Sequence, residues 1–288
     1  ENAIPNQDDK TTAAAALGPC GNLRTFRTAM ATSGEYSALV SPNNTKAEVL
    51  AEITNLMNSM NGVYEKDMAV RMTLIANNDA VIYLNAATDP YTGTNLGPLI
   101  DQNQTNLDNV IGSANYDIGH LLLSFGGGLA GPTPCINGQE AGGVSGSGNP
   151  VGVTFYIDLV AHEIGHQFGA GHTFNGTTGS CNGNGSATTA YEPGSGTTIM
   201  AYAGSCAGQN VQPNSDPYFH NASLGQMHNL INNWATCAAL TPNGNANPTV
   251  NAGANYTLPI STPFTLTATG TGVNTFVWEQ FDNESSTQ

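Results

Sequence analysis

The chain has 288 residues, room for one large or two modest domains, and its 6 Lys+Arg against 21 Asp+Glu give a formal net charge of −15. Charged residues make up 9% of it and apolar ones 39%, so a core can form, but no basic stripe can be built to hold nucleic-acid phosphates or anionic lipid. No uncharged apolar run approaches the roughly 18 residues of a membrane span, so no membrane insertion is expected.

Residues 1–22 are polar and alanine-rich and close on Gly18-Pro19-Cys20-Gly21, the texture of a leader or propeptide remnant. The chain opens at Glu1 without a basic, apolar signal segment, which reads as a processed form. Leu23 to Met30 reads as a first strand. Thr45 and Glu48 then form a capping box, followed by Val49, Ile53, Leu56, Met60 and Val63 at helical spacing. Val70, Met72 and Leu74 alternate as a strand, and Val81-Ile82-Tyr83-Leu84 is an apolar run of strand length. Leu107 to Ile111 reads as helical and Tyr116 to Phe125 as a further strand running into Gly126-Gly127-Gly128. This order is that of an α/β domain. Residues 132–152 read as a surface loop, and Ser223-Leu224-Gly225-Gln226 is a second capping box opening a last helix that runs to about Trp234. From Asn247 the texture changes: Tyr256–Leu258, Phe264–Ala268 and Thr275–Trp278 are short alternating strands between Pro and Gly turns. They resemble the first three strands of an immunoglobulin-like or PKD-like sandwich, of which residues 247–288 are too few to complete one.

The chemistry is carried by Tyr156 to Gly169. His162, Glu163, His166, Gly169 and His172 spell H-E-x-x-H-x-x-G-x-x-H. His162 and His166 are one helical turn apart and share a face, while Ile157, Val160, Ile164 and Phe168 line the opposite one. Gly169 permits the left-handed turn that ends a helix and lets His172 return to the same point. Three imidazoles without a thiolate suit Zn²⁺ with a coordination position left open, the catalytic type of site. Glu163 projects differently from the ligands and suits a general base toward a water activated by the metal.

These residues resemble the signature of the metzincin zinc endopeptidases, and Thr198-Ile199-Met200-Ala201-Tyr202 resembles their Met-turn. The resemblance implies an α/β (α+β) catalytic domain over residues 23–242, with a twisted, mostly parallel sheet and a long active-site helix. It implies Met200 as the structural floor of the site and Tyr202 as a partner for the tetrahedral intermediate. It implies an antiparallel edge strand that binds the peptide main chain, for which His120, Leu121, Leu122 and Leu123 are the candidates, with His220 lining a neighbouring pocket. The wording HEIGHQFGAGHTFN and EPGSGTTIMAYAG looks most like secreted bacterial reprolysin-like (adamalysin-like) proteases. Thr173, where animal reprolysins carry Asp, and Tyr202 are similar to pappalysins, the second choice.

The five cysteines contain no CxxC pair, and their number alone leaves the pairing and the compartment open. Cys181 and Cys206 bracket the Met-turn and suggest a bridge, and Cys135 with Cys237 is similar to a bridge of reprolysins. Cys20 is then left over; Gly18-Pro19-Cys20-Gly21 resembles the cysteine switch of matrixin propeptides, which implies a thiol able to cap zinc. The function expected is a secreted, monomeric zinc endopeptidase acting on protein or peptide substrates, with Ca²⁺ as a second cation common in the family. Two other readings are a metal-bearing adhesin or binding module, and a zinc hydrolase of non-peptide amides or esters.

Overall fold

The computed structural model of the protein describes residues 21–283. Strand β1 (Asn22–Thr32) is the hub of the main sheet. It pairs in parallel with β2 (Val70–Leu74) on one side and with β3 (Ile118–Leu123) on the other. β3 pairs in parallel with β5 (Gly143–Gly146), which in turn pairs antiparallel with β4 (Gly127–Ala130), so the order is β2-β1-β3-β5-β4. β6 (Ala239–Pro242) returns antiparallel to the start of β1.

Between these strands lie α1 (Gly34–Val40), α2 (Lys46–Met68) and α3 (Leu96–Val110). α2 begins where the capping box places it: the Thr45 hydroxyl accepts from Glu48 N–H. The Glu48 carboxylate turns back to Ser41 and to the Asn43 backbone, which holds it at about 2 through those hydrogen bonds. The helix ends on Ala69, left-handed at φ +52°. Its apolar stripe, Val49, Ile53, Leu56 and Met60, is fully buried against Phe26, Met30 and Met72 of the sheet. At roughly 1.5–3 kcal/mol for each large apolar side chain, this stripe is a main source of the domain's stability.

Three expectations are corrected. The run Val81 to Leu84 is not a strand: a 3₁₀ turn (Asn78–Val81) leads to a single parallel bridge between Thr32 and Ile82. The cause is Asn78, whose side chain accepts from Met30 N–H and donates to Met30 C=O, taking the β1 groups that a strand there would need. α3 begins at Leu96, capped by Asn95, well before Leu107. Its inner face carries Asn103 and Asn106, buried on the hydroxyls of Tyr91 and Tyr83, so its apolar period is hidden. Beyond Asn247, none of the three alternating segments forms a strand. Instead β7 (Thr249–Asn251) pairs with β8 (Thr269–Thr271), and Phe264, Val277 and Trp278 stay exposed. Alternation marks a surface made to be half covered, and among the described residues no second sheet face covers it.

Candidate metal centre

The sheet rests on one long helix, wound as a π-helix over Thr154–Ala161 and as an α-helix, α4, over His162–Gln167. π-winding frees carbonyls from the regular ladder, and Ala161 C=O accepts from the buried Tyr64 hydroxyl at 2.8 Å. Phe168 closes the helix on Phe26 and Tyr64, and Gly169, at φ +92°, turns the chain.

The Nε2 atoms of His162, His166 and His172 converge, at 3.0 Å from His166 to each of the others and 3.2 Å between His162 and His172. Four ligands around zinc at about 2.0–2.1 Å stand about 3.3 Å apart, so the spacing fits one tetrahedral ion. Every Nδ1 faces a backbone carbonyl: Ile199 for His162 (2.7 Å), Ala170 for His166 (2.7 Å) and Asn184 for His172 (2.5 Å). Each ring therefore donates through Nδ1 and presents the lone pair of Nε2 inward. Burial lowers all three imidazoles, His162 well below its ordinary value and His172 to about 4, and the neighbouring rings push these two further down. They stand ready as neutral ligands. Among the described residues this is the only cluster of three or more His, Cys, Asp or Glu able to share an ion.

Glu163 is 5% exposed, and burial raises its carboxyl to about 8. It lies over Gly128 of β4 so closely that a Cβ there would overlap the carboxylate. Met200 is fully buried below the helix, against Gly165. The Tyr202 ring stands 4.6 Å from that of His172 and 5.5 Å from that of His162. Its phenol is pushed up to about 12, first by burial and then by Glu163.

Other candidates fall elsewhere. His120, Leu121, Leu122 and Leu123 lie in β3, fully inside the sheet with β1 and β5 on either side, so they offer no free edge. The antiparallel edge is β4, beside Glu163. A buried run of Leu is what a central parallel strand requires, and the glycines of β4 disguise it as a turn. His120 serves the interior, with Nδ1 on Gln167 Oε1 and Nε2 on Ser145 Oγ, both at 2.9 Å. His220 is not an open pocket wall: it is the N-cap of α5 (Asn221–Asn233), accepting from Ala222 N–H, and is stacked on Tyr191. The helix thus starts before Ser223, whose side chain is buried. His228, on the same helix, is buried too. Disulfides join Cys135 to Cys237 and Cys181 to Cys206. Cys20 and its zinc-capping role lie outside the described residues. Gly128, Gly165 and Glu192 escaped the sequence reading; the signal for Glu192 was that it is the single acid between Glu163 and Asp216.

The profile of metallopeptidase family M12B, reprolysin-like, matches residues 22–230, from β1 to α5 with every residue of this centre inside it. No curated protein matches the chain.

Proposed function

Because the chain belongs to the reprolysin-like metallopeptidases of family M12B, a family of zinc peptidases, we propose that it is an exported endopeptidase in which Glu163 is the general base. The observation that carries this reading is the convergence of three inward-facing Nε2 atoms beside one buried carboxylate. His162, His166 and His172 would hold Zn²⁺. When bound, zinc supplies a Lewis acid that polarises a carbonyl and lowers the pKa of water toward about 7.

The chain's own residues do the rest. Glu163, adjacent to the first ligand and walled by Gly128, takes the proton of the attacking water and returns it to the leaving amine. Tyr202, beside His172, donates to the oxygen on which charge develops. The free edge of β4 pairs with the substrate main chain as an added strand, and Met200 floors the histidines. The two disulfides support an oxidising, extracellular setting, and among the described residues no helix is long and apolar enough to cross a membrane. Residues 23–242 make the catalytic domain on this reading, after a leader of residues 1–22. Residues 247–288 lie outside that domain on this reading, although Phe281 stacks on Tyr191 and His220.

Cleavage of casein and of a peptide library, with and without a zinc chelator, tests the proposal. Internal cuts that vanish with chelator and in Glu163→Ala support it. Hydrolysis of small amides or esters alone, or full biological activity in Glu163→Ala, would replace it with the non-peptide hydrolase or the binding module.

A further inference from the structure

Glu192 belongs to the long uncharged stretch between the third histidine and the Met-turn, and it is 6% exposed. Its main chain runs parallel to the segment after His172: its N–H donates to Thr173 C=O at 2.8 Å and its C=O accepts from Asn175 N–H at 2.9 Å. Its carboxylate gathers donors from two directions. Oε2 accepts from the Thr173 hydroxyl and, at 2.5 Å, from the Thr198 hydroxyl. Oε1 accepts from Thr197 N–H at 2.8 Å and Thr198 N–H at 3.0 Å.

These donors sit next to the metal centre. Thr173 follows His172 directly, and its own N–H donates to Met200 C=O at 3.2 Å. Thr198 precedes Ile199, whose carbonyl fixes the ring of His162. One buried carboxylate therefore joins the chain that carries His172 to the chain that aims His162. His166 is held instead by the carbonyl of Ala170, just beyond the end of its own helix, a bond that does not involve this carboxylate. Removing this carboxyl would leave several buried donors without a partner, a cost the surrounding chain can relieve only by moving.

We propose that Glu192 is a positioning residue of the zinc centre: it fastens the His172–Thr173 segment to the Met-turn and so sets the aim of His162 and His172. This rests on the zinc-peptidase reading above. A carboxylate that only steadied the loop would lower the melting temperature and leave metal affinity alone. A positioning role appears in the affinity, where partners behind the ligands are typically worth about 10–100-fold.

The test compares zinc affinity by chelator competition, and the visible spectrum of the Co²⁺-loaded protein, in the full chain and in Glu192→Gln, Thr173→Val and Thr173→Ser. Glu192→Gln is expected to weaken zinc binding by about 10-fold or more and to shift the cobalt bands. Thr173→Val is expected to weaken it in the same direction, while Thr173→Ser, which keeps the hydroxyl, stays at the parent value. Unchanged affinity and spectrum in Glu192→Gln overturn the proposal. Should that variant fail to fold, equal affinities in the Val and Ser variants overturn it. A parent protein that binds no zinc overturns the zinc-peptidase reading itself, which is a separate result from a zinc-binding parent matched by its variants.

Discussion

Gly165 and Met200 meet with no room for one more carbon between them: a Cβ on the glycine would overlap the methionine sulfur. The fourth letter of the H-E-I-G-H segment is thus set by the floor beneath it, not by the ligands on either side. Gly165→Ala should force Met200 down or the helix up, destabilising the protein by about 1–3 kcal/mol despite the better helix propensity of alanine. A thermal melt of the variant at or above the parent value would show that Met200 moves away freely.

Glu163→Gln should keep zinc and lose turnover. The three histidines and their carbonyl partners do not involve the carboxylate, so metal content should match the parent. kcat/KM should fall by about 10²–10⁴-fold, the usual worth of a general base. Gly128→Ala should act on the same step from the other side, because its methyl group enters the carboxylate's place. Metal analysis and peptide kinetics on the same preparations check both.

His120 gives the fold an acid-sensitive point away from the metal. Burial lowers it to about 4 from 6.5, with Gln167 pulling weakly the other way. Its charged form is therefore favoured in the unfolded chain, so the stability it contributes is fully present above pH 6.5. That contribution is lost as pH falls through the interval to about 4, by up to about 3 kcal/mol. His120→Gln should be less stable at pH 7, because Ser145 loses its partner, yet should show a shallower loss on acidification. Melts of both proteins between pH 7 and 4.5 decide this, since the remaining histidines are common to the two; parallel curves would contradict it.

The Cys135–Cys237 bridge ties the loop before β5 to the turn that follows α5 across 102 residues of sequence. Replacing both cysteines by serine should lower stability by about 2–5 kcal/mol. Denaturant unfolding at matched zinc content measures the loss.

What the sequence made legible follows the strength of each local signal. The metal triad was readable because three ligands, a base and a helix-ending glycine occupy fixed offsets on one turn-helix unit. α2 and β2 were readable because Ile53, Leu56 and Met60, or Val70 and Met72, show one clean period. α3 was not, because Asn103 and Asn106 are buried by pairing with tyrosines, which no hydrophobic period records. β4 was hidden because its glycines spell a turn while a neighbouring backbone makes them a strand. Glu192 was hidden for another reason: its donors lie 19 and 6 positions away, and only the fold brings them together.

The glycine-rich edge at β4 also bears on how the molecule meets copies of itself. An open strand edge invites pairing with a second copy, yet Gly127 and Gly128 bring no side chains to such a contact. Only Leu129 offers an exposed apolar handle. On the proposed reading a peptide is also anchored at the metal centre, a hold that a second copy pairing by backbone alone would lack. Gly128, which makes room for Glu163, would thus also help keep the cleft open at high protein concentration, a colloidal property written into the proposed substrate-binding strand.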